Sequence, residues 1–438
     1  MVVSSEESLL GRTRRYWAEF TARRQALTIG QNRYDDQAAS ALDDAAILLK
    51  TAQSTDGGLI AAPPFRYAYL RDGYGAARGL LALGMHAEAR RACEFRKRKF
   101  DIFGTLQTAE SLGHDRIRHI HENDDVETTS YMILQVRDYL AATGDLDFVR
   151  TLWPMLNYCW LAPLKHLVDG MLPFNGDETY VAGGFYPRYG LNQGSADCTL
   201  AFIEAGRWFI PWARQQGFWT ASLAAQAQSV VAGARAAYRQ RFFAGDRIWA
   251  NAPEHENTAP MPRFRHGVCA NCSTKRFGWL ERSANGRYLC PICFNSTELP
   301  AKRLDRMEVF SVSLLAAYLG SDILTTDETR AVVEHVLAQA EPDGTIFSVP
   351  RHPGFVGYDP ALISMNLSAI IHPAGEAGYQ RLLKQRDSTG VWVEYYSRDG
   401  QPDTHCSRAR TWETGVSVDA IVRYWSLPVM VAKYEPRS

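Results

Sequence analysis

Apolar residues recur every three or four positions along most of the chain, in segments enriched in Ala, Leu, Arg and Gln. This spacing is typical of amphipathic α-helices that bury one face. Strand-like runs are few and short, as at residues 344–349 and 390–396. The pattern therefore predicts an all-α protein. The predicted helices cover residues 6–28, 36–53, 72–83, 86–103, 126–142, 146–168, 195–215, 221–243, 307–319, 326–340, 360–370, 375–385 and 416–431.

The connections between these helices alternate in length. Short turns alternate with long segments rich in Gly, Pro, aromatic and charged residues. Helix hairpins thus repeat about every 50 residues, and long loops without regular structure are uncommon unless they are functional. We expect the long loops to gather on one face of a ring of hairpins. The long segments are residues 53–75, 112–125, 169–194, 244–305, 341–360 and 386–415.

The composition is that of an ordinary globular protein. The chain has 438 residues, 46% of them hydrophobic and 22% charged, and its formal net charge is zero. A zero net charge argues against bulk attraction to nucleic acid or to an anionic membrane. The sequence contains no apolar run of the kind found in signal peptides or spanning helices, so we expect a soluble, cytoplasmic protein.

Two Cys-x2-Cys pairs, "CANC" and "CPIC", stand 17 residues apart. Each pair can deliver two thiolates to one tetrahedral ion, so this spacing predicts a structural zinc site. Four cysteine ligands leave the ion no open position for chemistry. The competing interpretation is four buried free thiols, and nucleic-acid contact by the basic flanks is the weaker alternative to a solvated rim. The expected zinc ligands are Cys269, Cys272, Cys290 and Cys293.

Acidic residues recur in the long loops. Asp72 and Asp125 stand where helix N-caps are expected, and Glu413 lies near the start of the last predicted helix. Glu178 and Glu394 lie away from helix starts, among aromatic residues, which favours a site over a cap. The acidic motifs are Arg71 with Asp72, Asp124 with Asp125, Asp177 with Glu178, and Glu394.

Three of these motifs resemble those of a known clan. The stretches "YAYLRDGYGAARGLLALG", "NGDETY…LNQGSAD" and "WVEYYSRDGQP…RARTWETGVSVDAIV" are similar to segments of inverting glycosidases of the glucoamylase-like family 15 and the maltose-phosphorylase-like family 65. The resemblance runs in order from about residue 36 to 427. It implies an all-α (α/α)6 toroid with long active-site loops. We expect one catalytic domain over residues 1–438, with the zinc-binding segment 244–305 inserted into it.

The resemblance also implies roles for individual residues. Glu178 would be the general acid and Glu394 the general base, while Arg71 and Asp72 would hold hydroxyls of the non-reducing-end sugar. The sequence departs from the family at two points: Glu-Tyr stands in place of Glu-Gln at the base, and Trp-Glu-Thr in place of Trp-Ser. The second departure leaves Glu413 as a rival for the base.

The resemblance implies a glycoside hydrolase. Inverting hydrolysis needs a protonated carboxylic acid and an ionised carboxylate roughly 6.5–9.5 Å apart, with water between them, and no cofactor. The expected substrate is a small glycoside or oligosaccharide, and the resemblance alone makes an α-glucoside the default. Further residues expected to contact the sugar, through hydrogen bonds or stacking, are Tyr69, Asp124, Asp125, Asp177, Tyr180, Arg188, Trp392, Trp412 and Glu413.

Two alternatives remain open from the sequence. A phosphorylase of the same clan would bind phosphate in place of the base, and Arg188, His352 and Arg410 leave room for an anion. A non-catalytic sugar-binding or regulatory protein would keep the toroid without turnover.

Overall fold

The computed structural model describes residues 35–115, 118–119, 124–173, 194–252, 264–268, 277–282, 288–289, 296–297, 306–341, 344, 346–347, 359–394, 396 and 407–427. The helices are α1 (Asp36–Thr51), α2 (Leu70–Ala82), α3 (His86–Phe103), α4 (Asp124–Thr143), α5 (Leu146–Thr151), α6 (Trp153–Leu161), α7 (Ala196–Gln215), α8 (Ala221–Arg241), α9 (Phe310–Ser313), α10 (Leu315–Leu319), α11 (Thr326–Leu337), α12 (Asp359–Ala369), α13 (Gly375–Lys384) and α14 (Thr411–Trp425), with a 3₁₀ helix at Ala162–His166. The strands are β1 (Tyr67–Tyr69), β2 (Ala109–Ser111), β3 (Arg118–His119), β4 (Phe264–Val268), β5 (Phe277–Arg282), β6 (Tyr288–Leu289) and β7 (Ser296–Thr297).

Helices α2, α4, α7, α10, α12 and α14 close an inner ring. Each packs against the next, and α14 packs back against α2. A second layer surrounds them: α1 lies on α14 and α2, α3 on α2 and α4, α6 on α4, α8 on α7, and α11 and α13 on α12. The protein is therefore an all-α toroid, which confirms the predicted fold class. Among the helices that the structure describes, none is both long and apolar enough to cross a lipid bilayer.

The connections follow one rule. Short turns leave the inner helices, at residues 83–85, 144–145, 216–220, 320–325 and 370–374. Long segments lead into them, at residues 52–69, 104–123, 167–195, 242–309, 338–358 and 385–410. Because each of these segments precedes an inner helix, α10 by way of the short helix α9, the N-termini of the inner helices lie at one end of the ring. The alternation of short and long connections along the chain is as predicted.

Side-chain caps set several of the helix starts. Asp35, Ser195 and Thr220 each accept a hydrogen bond from a backbone N–H in the first turn of the helix that follows. Thr325 forms a reciprocal capping box with Glu328 at the start of α11. These are the polar residues that satisfy otherwise unpaired N–H groups, which is why the sequence located these starts well.

Helices α2 and α14 approach each other at glycine positions. A Cβ atom placed on Gly415 would lie 2.1 Å from the carbonyl oxygen of Gly75, and one placed on Gly79 would lie 2.6 Å from the Cα of Gly415. A Cβ atom on Gly75 would meet the ring of Trp412 at 2.3 Å. The two backbones are thus in direct contact, which only glycine allows at these positions.

The opposite end of the ring is closed by arginines. Arg78 is buried, pairs with Asp419 and donates to the carbonyl of Tyr318. Arg423 donates to the carbonyl of Ala317 at 2.8 Å. The C-terminal carbonyls of α10 carry partial negative charge, so these cations satisfy them where the inner helices end.

The structure corrects several predicted boundaries. Helix α14 begins at Thr411, five residues before the predicted start, and α2 begins at Leu70. The predicted helix 146–168 is divided into α5, α6 and the 3₁₀ helix, because Pro154 and Pro163 each stand at the start of a new segment and cannot donate a hydrogen bond to the preceding turn. The predicted helix 307–319 is likewise divided, into α9 and α10.

The predicted strand at 390–396 was wrong over the residues that the structure describes there. Gly390 has φ 82°, a left-handed conformation that interrupts an extended chain. Val391, Trp392 and Val393 are all buried instead of alternating between two faces. Residues 390–394 therefore pack as an irregular loop, and Tyr396 forms an isolated bridge.

Two small antiparallel sheets accompany the helices. Strands β1, β2 and β3 pair in that order, and β1 leads directly into α2. Strands β4 to β7 form a meander between Ala252 and Arg306. Strands β5 and β6 pair within the segment that separates the two cysteine pairs. The chain leaves and re-enters the toroid at one place, since the N–H of Ala250 donates to the carbonyl of Met307 at 2.8 Å.

We predict that Gly415→Ala lowers the free energy of unfolding by about 1–3 kcal/mol or more, because its methyl group cannot fit against α2. The matched control is Gly233→Ala on α8, where a Cβ atom meets nothing within 4 Å. That variant should gain up to about 1 kcal/mol from helix propensity. Urea unfolding of both variants measures the difference, and equal effects would contradict the close approach of α2 and α14.

Candidate functional site

The candidate site lies at the end of the ring where the long segments meet. Asp72 is in the first turn of α2, and Glu413 is in the first turn of α14. Arg410 is the N-cap residue of α14, and Glu394 lies in the irregular loop just described. The contact between α2 and α14 brings these side chains together from distant parts of the sequence.

Arg410 is the centre of this group. Its Nη2 atom lies 3.3 Å from Asp72 Oδ1 and 3.6 Å from Glu394 Oε1. Its Nε donates to Glu413 Oε2 at 3.3 Å. Its guanidinium also lies 5.5 Å from the centroid of the Phe65 ring, a cation–π contact. One buried guanidinium therefore holds three carboxyl groups, which we call the Arg410 cluster: Arg410, Asp72, Glu394 and Glu413.

The carboxyl group of Glu413 has a strongly shifted pKa. Burial, together with the negative charges of Glu394 and Asp72, raises the pKa from 4.5 to about 7 against the opposing effect of Arg410. Because one guanidinium cannot neutralise three carboxylates, one buried carboxyl group is best stabilised by a proton. Asp72 is as buried as Glu413 but is also attracted by Arg96, which leaves Glu413 as that group. Glu413 therefore exchanges its proton near neutral pH.

Two other arginines support α2 and β1. Arg71 Nη1 donates to Glu127 Oε1 on α4 at 3.0 Å, and both side chains are largely buried. Arg96 of α3 donates to the carbonyl of Ala68 at 2.9 Å. Burial lowers the pKa of Arg96 to about 10, against the attraction of Glu110 and Asp72. Arg71 is thus tied to α4 and does not join the Arg410 cluster.

The sequence did not single out Glu127, and it named Arg410 only as a possible anion ligand. Glu127 stands in "HENDDVET", two residues beyond Asp125, so its first-turn position on α4 was the available signal. Arg410 directly precedes a helix that the sequence placed five residues too late, and this error hid its position as the N-cap.

Asp125 has different partners. Its carboxylate contacts Lys165 at 2.6 Å and His166 at 2.9 Å, both in the 3₁₀ helix. Although burial opposes ionisation, the hydrogen bonds from His166 and Lys165 outweigh it and lower the pKa of Asp125. These contacts tie α4 to the 3₁₀ helix, and they are not shared with the Arg410 cluster.

The N-cap interpretation of Asp72 was wrong. The N-cap residue of α2 is Tyr69, whose side chain makes no capping hydrogen bond, and Asp72 follows inside the first turn. An acidic residue there still benefits from the positive end of the helix dipole. Asp72 approaches Arg410 from this position.

The aromatic residues divide by exposure. Trp392 and Trp412 are both only 3% exposed. Trp412 packs among the rings of Tyr74, Tyr131 and Tyr318, and Trp392 donates to the carbonyl of Leu382. Both therefore belong to the core, and their burial does not support the stacking role predicted for them.

Tyr69 and Phe65 lie nearer the surface. Tyr69 is partly buried and stands at the end of β1, immediately before α2. Phe65, which sequence reasoning missed, is 38% exposed and contacts Arg410. It offers an apolar ring face beside the Arg410 cluster.

Several predicted site residues lie outside the described part of the chain. They are Asp177, Glu178, Tyr180, Arg188, Cys269, Cys272, Cys290, Cys293 and the side chain of Asp124. Leu172 and Ser195, which flank residues 173–194, are described. The N–H of Ser195, at the start of α7, donates to the carbonyl of Leu172 at 2.7 Å. Within the described residues, no group of three or more His, Cys, Asp or Glu side chains could hold a metal ion.

No family model matches the sequence, and no curated protein matches it. A solved wild-type glycosidase matches the structure with a TM-score of 0.61 at 14% identity, covering 90% of this chain and 100% of that chain. This chain therefore shares the (α/α)6 toroid fold of that glycosidase.

Two further solved structures share this toroid. A rhamnosidase from Klebsiella oxytoca with rhamnose bound matches with a TM-score of 0.55 at 12% identity, covering 88% of this chain and 63% of that one. A bacterial glucoamylase in complex with acarbose matches with a TM-score of 0.56 at 13% identity, covering 90% and 57%. Both proteins are longer than this chain. At such identities the likeness establishes the fold alone.

We predict that Glu413→Gln makes the protein progressively more stable than the wild type as the pH rises from about 4.5 to 7. In this window the unfolded wild-type chain has lost the proton on Glu413 while the folded chain keeps it, so wild-type stability falls with pH. The difference at pH 8 should reach about 3 kcal/mol. Urea unfolding across this pH range measures it.

The matched control is Asp419→Asn on the same helix. Although burial opposes ionisation, Arg78 and Arg423 lower the pKa of Asp419, so the folded state prefers its carboxylate. This variant should lose stability at neutral pH, and the loss should shrink as the pH falls below about 3.8. If both variants showed the same pH trend, the conclusion that Arg410 cannot neutralise all three carboxylates would be contradicted.

Proposed function

We propose that the protein is a glycoside hydrolase that acts on a small glycoside or oligosaccharide from its non-reducing end by an inverting, two-carboxylate mechanism. The observation that carries the proposal is the Arg410 cluster, which gathers three carboxyl groups at the loop end of a glycosidase toroid. Paired carboxyl groups in different environments are what such hydrolysis requires. The α-glucoside remains the default substrate.

Glu394 suits the role of general base better than Glu413. The base must contact the attacking water, and the side chain of Glu394 is 17% exposed while that of Glu413 is 3% exposed. Glu413 also holds its proton up to about pH 7, which makes it a poor acceptor at lower pH. This favours Glu394 over its rival.

Glu178 is proposed as the general acid. The segment that carries it leads into α7, and Leu172 and Ser195 hold its two ends together. Around the inner ring, α7 stands three steps from α14 in either direction. An acid delivered from the α7 side would therefore face a base on the α14 side across the centre of the ring, as inversion requires.

Asp72 and Phe65 are proposed to hold the sugar. Asp72 can accept hydrogen bonds from hydroxyl groups, and the exposed ring of Phe65 can cover an apolar sugar face. Arg71 would act through its pair with Glu127, which anchors the start of α2 to α4.

The phosphorylase alternative is weakened at Arg410. This guanidinium was a candidate phosphate ligand, but Asp72, Glu394 and Glu413 surround it. A phosphate placed among three carboxyl groups would be repelled by them. Hydrolysis is therefore the better proposal.

We also propose that residues 244–305 bind one structural zinc ion through four cysteines. Strands β4 and β6 both pair antiparallel with β5, so they run in the same direction. Cys269 follows the last residue of β4, and Cys290 follows the last residue of β6. Both cysteine pairs are thus led toward the same edge of the sheet, where two knuckles could share one tetrahedral ion.

We predict that the purified protein hydrolyses a member of a panel of α- and β-linked disaccharides and small glycosides, releasing a sugar of inverted configuration without phosphate. Glu178→Gln and Glu394→Gln should each lower kcat by at least about 1,000-fold, because each removes one of the two proton-transfer groups. Proton NMR time courses measure the rate and the anomer. The control is Glu334→Gln, an exposed residue of α11.

Three outcomes would go against this proposal. Sugar 1-phosphate formed only with phosphate would identify a phosphorylase. Sugar binding without turnover of any glycoside would favour a binding protein. Near-normal turnover by Glu394→Gln would exclude Glu394 as the base.

We predict about one zinc ion per chain in the purified protein, as four thiolates bind one ion. Cys290→Ser should lower the zinc content severalfold, because it removes one ligand, whereas Cys159→Ala, at a buried thiol of α6, should not change it. Elemental analysis after dialysis measures the ratio. A protein free of zinc, and unchanged by Cys290→Ser, would support four free thiols instead.

A further inference from the structure

The Arg410 cluster contains more carboxyl groups than cations. Asp72, Glu394 and Glu413 approach one guanidinium, at separations of 3.3–3.6 Å. The next cation, Arg96 of α3, is attracted both to Asp72 and to Glu110. Including Arg96 adds one positive charge but also brings in the carboxylate of Glu110, so the excess of carboxyl groups over cations remains.

No other described side chain supplies the missing charge to Glu413. On its other side this residue borders a small cavity of about 10 Å³, room for at most one water molecule. The cavity is bounded by Trp392, Tyr396 and Ser417 and by Gln385 at the end of α13. These side chains are neutral, so Arg410 is the only cation in contact with Glu413 among the described residues.

A second carboxyl group on α14 shows the contrasting case. Asp419 is also buried, but it contacts two arginines, Arg78 and Arg423. The arginines there are at least as many as the carboxylates, because Arg78 and Arg423 face only Asp419 and, beside Arg78, Asp138 among the described residues. Two carboxyl groups on one helix, six residues apart, therefore differ mainly in how many arginines each one has.

We propose that Glu413 is a positioning residue that works as a neutral carboxylic acid. Because Glu413 keeps its proton and carries no charge, the positive charge of Arg410 holds Asp72 and Glu394 side by side. The inference rests on the proposed function, in which Asp72 holds the sugar and Glu394 activates water. Arg410 then connects sugar binding to the base through a single group, since its Nη2 atom faces both carboxylates.

The neutral state follows from the geometry. An ionised Glu413 would compete with Asp72 and Glu394 for one guanidinium and would leave two uncompensated negative charges in a buried place. A neutral Glu413 still accepts the hydrogen bond from Arg410 Nε through its carbonyl oxygen. A glutamine side chain reproduces that contact without a charge, while alanine removes it.

The first test is infrared spectroscopy, which detects protonated carboxyl groups directly and needs no substrate. The wild type should show a carboxylic-acid carbonyl band that disappears on titration with a midpoint near pH 7. The band should be absent from Glu413→Gln and retained in Asp419→Asn. Glu204 also has a raised pKa because it is buried, so the difference spectrum between wild type and Glu413→Gln is the quantity to compare.

The second test is turnover, measured on whichever glycoside the panel identifies. Glu413→Ala should lower kcat by about 100-fold or more, and Glu413→Gln should restore it to within about tenfold of the wild type, since the neutral hydrogen-bond acceptor is returned. Arg410→Met should lower kcat and also raise KM, because it releases both Asp72 and Glu394.

These results separate the two proposals. A titrating band assigned to Glu413 supports its neutral state even if no glycoside is hydrolysed. An unchanged band in Glu413→Gln would overturn the inference while leaving the hydrolase intact. If Glu413→Gln were as inactive as Glu413→Ala while Glu394→Gln stayed active, Glu413 would be the ionised base. That result would also overturn the inference.

Discussion

The contact between α2 and α14 is the constraint on which the candidate site depends. These helices come from opposite ends of the sequence, and they close the inner ring by backbone contact at Gly75, Gly79 and Gly415. The contact sets how closely the first turns of both helices approach. Asp72 and Glu413 can share one guanidinium only because no side chain separates the two backbones.

The second organising feature is the common direction of the inner helices. Their N-termini meet at one end of the ring, where their dipoles favour negative charge, and their C-termini meet at the other. Acidic residues occupy first turns at the loop end, as Asp72, Glu127 and Glu413 do, while Arg78 and Arg423 contact carbonyl groups at the opposite end. The toroid therefore has an acidic, loop-bearing end that suits proton-transfer chemistry.

Within that end, the protonation of each carboxyl group follows from its partners. Glu413 and Asp419 lie on one helix and are both buried, yet burial raises the pKa of one while arginines lower the pKa of the other. The deciding quantity is the local ratio of cations to carboxylates, and not residue type or helix position.

The sequence by itself determined the helices and the alternation of short and long connections, because helical period and capping residues are local properties, and the resemblance to a known clan supplied the toroid. It also selected Asp72 and Glu394 as site residues, since their loop motifs resemble those of a known clan. It misplaced the starts of α2 and α14, and it counted Trp392 and Trp412 among sugar-binding residues. Only the tertiary structure decided that both tryptophans are core and that Arg410 holds three carboxyl groups. Residues 72, 394, 410 and 413 meet through the closure of the ring, and burial and charge balance exist only once those distant segments are in contact.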